Sequence, residues 1–424
     1  MKANPDMEIV SSTDDDAHGF IAPLPRISLQ AFCEQPETAA IINDAVTDRR
    51  MDKAHIKVHM GGGNAALEAY RTSPTPNVIV IESTGDRANL IGHLEALSEF
   101  CDSGTKVVVI GRLNDISLYR DLIARGVSEY LLLPFGVLDF IRAISHLYNH
   151  AEAPALGRVI AVTGAKGGVG ASTIAHNLGW SISRSQDIAT VIADMDLGFG
   201  TLGLDFNQDP PTGIAEAVFS PDRLDANLMD RLLSKCSEKL SLLAAPATLD
   251  RQYDFAETAF DGTIDILRGT MPMIIADVPH MWTGWTRRAL VGADEVVLVA
   301  APDLANLRNT KNILDMLRVA RPNDARPKLV MNWVGVQKRP EISISDFAKA
   351  VDLEPVAVIP FDPRLFGTAA NNGQMIAEVE ASSKIAESLT ELARILTGRP
   401  DLQKAKRASV MAPFMERFKR RKAS

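Results

Sequence analysis

The chain has 424 residues, 46% hydrophobic and 23% charged, the composition of a soluble globular protein whose length calls for two or more domains. It contains no run of about 18 to 20 uncharged apolar residues, and Met1 to Arg26 lacks the apolar core of a signal peptide, so neither a membrane span nor secretion is expected and a cytoplasmic address follows. Cys33, Cys101 and Cys236 lie far apart without CxxC spacing, which argues for buried thiols over a zinc, iron–sulfur or disulfide role. The net charge of −8 is uneven. Residues 403–424 hold eight Lys and Arg against one acid, Glu416, leaving about −15 on everything before them. A negative body argues against wrapping nucleic acid, although a local patch can still bind it.

Residues 1–26 are polar and acidic and are expected to be disordered. From Ile27 to His150, β-rich runs alternate with runs of helical spacing, the pattern of a parallel sheet covered by helices. Strands are predicted at ISLQAFC, HIKVHM, NVIVIE, KVVVIG and EYLLLP. Helices are predicted at AAIINDAV, NAALEAYR, LIGHLEALSEF and ISLYRDLIARG, with VLDFIRAISHLYNH closing the unit over residues 27–150. Five such repeats resemble the receiver domain of response regulators. That resemblance implies a phosphorylatable Asp after the third strand, an acidic pair after the first, a Ser or Thr after the fourth and a Lys after the fifth. This chain has Glu82, then Phe32-Cys33-Glu34, Gly111 and Leu133 at those places. All four chemical elements are altered, so an atypical receiver that serves protein contacts without being phosphorylated is expected. A generic flavodoxin-like domain is the other reading, and either is a binding module.

AEAPALG, residues 151–157, reads as a linker. A second α/β domain then runs over 158–396, opening with VIAVTGAKGGVGAST in the order strand, glycine-rich turn, helix. Gly167, Gly168 and Gly170 permit backbone angles closed to other residues, so successive N–H groups can face a polyphosphate with a helix N-terminus behind them. Val169, Ala171 and Thr173 complete the loop, and Ser172 stands where a hydroxyl would bind Mg²⁺.

KGGVGAST resembles the deviant phosphate loop of the MinD/ParA class. The resemblance implies ATP and Mg²⁺ as ligands, a P-loop NTPase domain with a mostly parallel sheet, and a homodimer in which Lys166 reaches the phosphates of the other subunit. VIADMDLGFGTLGLDF resembles the switch segment of that class, with Asp194 and Asp196 at its acidic positions. MIIADVPHMW resembles the Walker B strand, with Asp277 for the Mg²⁺ shell. LVMNWV places Asn332 where such proteins contact adenine, and VAVIPFDPRLFGTAANNGQ supplies Pro360 to Asp362 for the loop that packs on the base. Singly, these carboxylates read as strand ends or helix caps and Asn332 as a turn residue. Five in register make a nucleotide site.

Ala171 stands where the class normally carries the lysine for its own subunit's β- and γ-phosphates. Losing that cation removes a few kcal/mol of charge-assisted hydrogen bonding. ATP is therefore expected to bind most securely in a dimer and to turn over slowly, with Asp196 orienting the attacking water and Asp194 the alternate.

Residues 397–424 form a basic tail in which Met411, Phe414, Met415 and Phe418 recur at spacings of three and four. A helix beginning near Pro413 would gather them on one side, flanked by basic residues, as in segments that lie on an anionic membrane. A disordered basic tail or a packed terminal helix are the other readings. A receiver-like domain joined to a MinD-like one, with VPHMWTGWTRRAL and PDLANLRNTKN, resembles the CpaE/TadZ family. The resemblance implies a cytoplasmic localisation factor for type IVb (Flp/Tad) pili, working with pilus assembly proteins, at the inner membrane of a cell pole. A nucleotide-binding scaffold without turnover is the alternative. A ParA-type partitioning protein is disfavoured by the acidic body and the receiver-like half.

Overall fold

A computed structural model describes residues 20–148, 156–208, 213–247, 249 and 252–398. The expected acidic segment up to residue 19, most of the linker, and the tail with Met411, Phe414, Met415 and Phe418 lie outside the described residues. The chain divides into two compact units: one runs up to Ala155 and includes Val319–Ala325, and the other comprises Leu156–Arg318 and everything from Arg326 onward.

In the first unit, β1 (Ile27–Cys33), β2 (Ala54–Met60), β3 (Val78–Ser83), β4 (Lys106–Gly111) and β5 (Glu129–Leu132) form one parallel sheet in the order β2-β1-β3-β4-β5. This is the flavodoxin-like order that receiver domains share. Every residue of β3, VIVIES, is buried, the apolar VIVI as expected when helices cover both faces of a parallel sheet. Helices Pro36–Val46 and Val137–His146 supply one core through Ile42, Phe140 and Ile144, while Gly62–Tyr70 and Arg87–Ser98 supply another through Ala66, Tyr70 and Leu97.

Packing in this unit begins before Ile27. Ile21 and Leu24 are buried in the core with Phe140, and the Leu24 N–H donates to the Arg50 carbonyl at 2.8 Å. Residues 20–26 therefore belong to the folded unit, a correction to the N-terminal boundary expected from composition, because the apolar run FIAPL at the end of the polar segment supplies side chains that the core buries.

Glu82, at the position of the receiver phosphoacceptor, is fully buried. Its carboxylate accepts from the Glu34 N–H at 2.7 Å, the Gln35 N–H at 2.9 Å and the Thr38 hydroxyl at 2.7 Å. Burial, and secondly the Glu82 charge, push the neighbouring Cys33 thiol up to about 12, so it stays protonated.

The second unit holds β6 (Arg158–Gly164), β7 (Thr190–Asp194), β8 (Ser234–Lys235), β9 (Leu240–Leu243), β10 (Met273–Asp277), β11 (Glu295–Ala300), β12 (Lys328–Val334) and β13 (Pro355–Pro360). They make one eight-stranded sheet in the order β13-β12-β11-β6-β10-β7-β9-β8, parallel except for β8 against β9. Helices Ala171–Ser185 and Lys384–Leu396 pack into one core, and Ala226–Leu232 and Asp261–Thr270 into another. The strand order reverses direction at β6, between β10 and β11. In open parallel sheets, the crevice outside the carboxyl ends of the strands at such a reversal is where ligands bind. Among the described residues, no helix is long and apolar enough to cross a membrane.

Candidate nucleotide site

The loop between β6 and the helix Ala171–Ser185 occupies that crevice. Gly168 and Gly170 have φ of +76° and +86°, left-handed values that turn successive peptide groups toward one side. Three side chains from distant segments hold loop carbonyls by hydrogen bonds. His280 Nδ1 lies 2.9 Å from the Gly164 carbonyl, the Asn309 amide donates to the Ala165 carbonyl at 2.8 Å, and the Asn332 amide donates to the Val169 carbonyl at 2.9 Å. A Cβ on Gly170 would lie 2.6 Å from Asn332 Nδ2, so only glycine permits that approach. With three of its carbonyls held by these side chains, the loop has N–H groups to offer an anion, and the residues present fit a polyphosphate. Ala171, Ser172 and Thr173 open the helix and are partly accessible, whereas Lys166 and Gly167 are exposed.

Behind the loop lies a buried charged cluster that the sequence did not announce. His176, on the helix after the loop, is fully buried; its Nδ1–H donates to Asp205 at 2.7 Å, and its Nε2 stands 3.4 Å from Asp277 Oδ2 without hydrogen-bond alignment. Burial works against the imidazolium, but the Asp205 hydrogen bond and the nearby Asp277 overcome it and raise the His176 pKa to about 10. Asp194 is buried beside them. Burial, then the Asp277 charge, push it well above the usual carboxylate range. Its two oxygens accept from the Asp196 and Leu202 N–H groups, both at 3.1 Å, which folds the segment between them around it. Asp196 remains partly exposed and accepts from the Phe199 N–H at 3.0 Å.

Among the described residues, no cluster of three His, Cys, Asp or Glu side chains surrounds a metal position. Ser172 and Asp277 are the donors that would hold Mg²⁺. Such a sparse set suits this ion, which is commonly bound through one or two carboxylates together with phosphates and water.

Beside the loop opens a cavity of 380 Å³, lined by Gly170, Thr173, Asn332, Pro360 and Asp362, all five expected from sequence to meet the nucleotide. Its volume is at the lower end of small-molecule sites, roughly 300–1,000 Å³. Asp362 also caps the helix Pro363–Asn372 by accepting from the Leu365 N–H at 2.9 Å. Phe361, within the loop Pro360 to Asp362 expected to pack on the base, lines the same cavity, as does Trp333, which the sequence did not single out.

No protein-family model matches the chain. It is similar to the septum site-determining protein MinD of Synechocystis, 25% identical over 251 residues that cover 58% of this chain and 91% of that protein. A MinD from Pyrococcus horikoshii solved in complex with Mg-ADP superposes with a TM-score of 0.51 at 20% identity, over 60% of this chain and all of that one, a likeness of fold. A pilus assembly protein CpaE from Caulobacter crescentus is 48% identical over 30% of this chain, its N-terminal part, and 98% of that chain, with a TM-score of 0.29. The fold and the loop define a MinD/ParA-class P-loop chain. Within that class it is CpaE-like.

Proposed function

We propose that this chain is an ATP-binding, dimerising localisation factor for assembly of type IVb pili, with slow hydrolysis. The observation that carries the nucleotide reading is the loop whose carbonyls are held by His280, Asn309 and Asn332 beside a cavity lined by Asn332, Pro360 and Asp362. Lys166 would come in trans, Ser172 and Asp277 would hold Mg²⁺, and Asp196 would orient water while Asp194 stays buried. When bound, Mg²⁺ neutralises phosphate charge; this chain's residues orient and exclude water. The 48% identity to a pilus assembly protein CpaE supports the pilus role, and residues 27–150 would be the receiver-like module for protein contacts.

Dimerisation is supported by topology. Phe199, Met281, Trp282 and Leu304 are exposed apolar side chains on segments that follow β7, β10 and β11, at the carboxyl ends of the strands where the loop also lies. Apolar groups gathered there gain from burial against a second copy. Sedimentation with and without ATP and Mg²⁺ tests the switch: a dimer should form with nucleotide and disappear in Lys166→Ala, and a protein indifferent to both would refute it. The missing lysine at Ala171 favours a second reading, a scaffold that binds nucleotide without turnover. Phosphate release from wild type above an Asp196→Ala control separates the two. The tail, outside the described residues, would add an anionic-membrane contact, tested by liposome flotation with and without residues 410–424.

A further inference from the structure

β12 shifts register against β13 between Met331 and Val334, and within that shift Trp333 has a φ of +57°. A bulky aromatic residue rarely adopts the left-handed region, and irregularities of this kind re-aim side chains next to ligand sites. The conformation is held from both sides: the Trp333 carbonyl accepts from Arg339 at 2.7 Å, and the Phe361 N–H donates to the Val334 carbonyl at 2.8 Å. The indole stacks on Phe361 with centroids 5.1 Å apart and planes 22° from parallel, yet stays 37% exposed. Both rings line the cavity, and a Cβ on Gly170 would lie 3.6 Å from Trp333 Nε1, which puts the indole beside the phosphate loop. A ring serving only the core would have no need of a strained backbone or an open face.

We propose that Trp333, backed by Phe361, is the specificity-determining wall of the cavity, an aromatic surface on which a purine base stacks while the loop holds the phosphates. This rests on the nucleotide reading above and adds what selects the base. A two-ring base covers more of the indole than a pyrimidine does, so the wall favours purine over pyrimidine nucleotides.

The test is calorimetric binding of ATP, CTP and inorganic tripolyphosphate, all with Mg²⁺, to the full chain and to Trp333→Ala and Trp333→Gly. Glycine adopts the left-handed backbone freely, so the second variant removes the ring without penalising the turn. Wild type should prefer ATP to CTP by about tenfold; both variants should lose that preference and roughly tenfold in ATP affinity, with tripolyphosphate unchanged. ATP should also quench indole fluorescence in wild type and not in Trp333→Phe. An ATP-to-CTP ratio unchanged in both variants, or equal weakening of ATP and tripolyphosphate, overturns the proposal. Wild type that binds tripolyphosphate but shows no base preference sinks the stacking wall alone, whereas wild type that binds none of the three sinks the nucleotide reading and the wall with it.

Discussion

The imidazole of His176 donates to Asp205 at 2.7 Å while its other nitrogen faces Asp277 at 3.4 Å, a buried cation between two carboxylates of different segments. Removing it strands negative charge. His176→Ala should destabilise the second unit by about 3–5 kcal/mol, the usual effect of breaking a buried ion pair from one side. Urea unfolding measures it, and a change under about 1 kcal/mol would mean that the carboxylates relax into water or take up protons.

The loop should depend on the side chains that hold its carbonyls. Asn332→Ala frees the Val169 carbonyl and leaves a buried acceptor unpaired, which costs about 1–3 kcal/mol. ATP affinity should fall with it, by roughly tenfold, and Asn309→Ala should act in the same direction through the Ala165 carbonyl. Titration of both variants at matched folded fraction checks this.

Ala171 opens the helix behind the loop and is only partly buried, so a longer side chain there has a route outward. Ala171→Lys should tighten ATP binding about tenfold to a hundredfold, the yield of one charge-assisted hydrogen bond of about 1.5–3 kcal/mol. An unaltered affinity in a folded variant would show that the N–H groups do not converge on the phosphates.

Glu82 should resist phosphorylation. Its carboxylate already accepts three hydrogen bonds and has no exposure, so an acyl phosphate would have to break all three. Incubation with acetyl phosphate should leave the intact mass unchanged. Glu82→Ala should lower stability by about 3 kcal/mol or more, since two backbone donors and the Thr38 hydroxyl lose their partner.

Much of this was legible because the signals are local. The apolar runs VIVI and VIAV leave little alternative to buried parallel strands, and the glycines at 168 and 170 announce a turn that other residues avoid. The rest depends on partners distant in sequence. His176 sits among apolar helix neighbours and reads as a core residue until Asp205 and Asp277 are placed around it. Asn309 and His280 lie in segments whose sequence suggested the family, yet no spacing reveals which carbonyl each one meets. Trp333 reads as a strand residue, and its left-handed turn comes from the irregular pairing of β12 with β13. Ile21 and Leu24 were hidden by the polar segment before them.

The short β8 closes one margin of the eight-stranded sheet to a further strand. It has two residues, runs antiparallel to β9, and ends in the exposed Lys235, whose ammonium stands 3.7 Å from Asp230. A stub this brief, carrying charge, offers an incoming strand almost no backbone ladder to extend, which is how sheet proteins avoid edge-to-edge aggregation. Growth by strand addition is therefore blocked at that margin of the sheet.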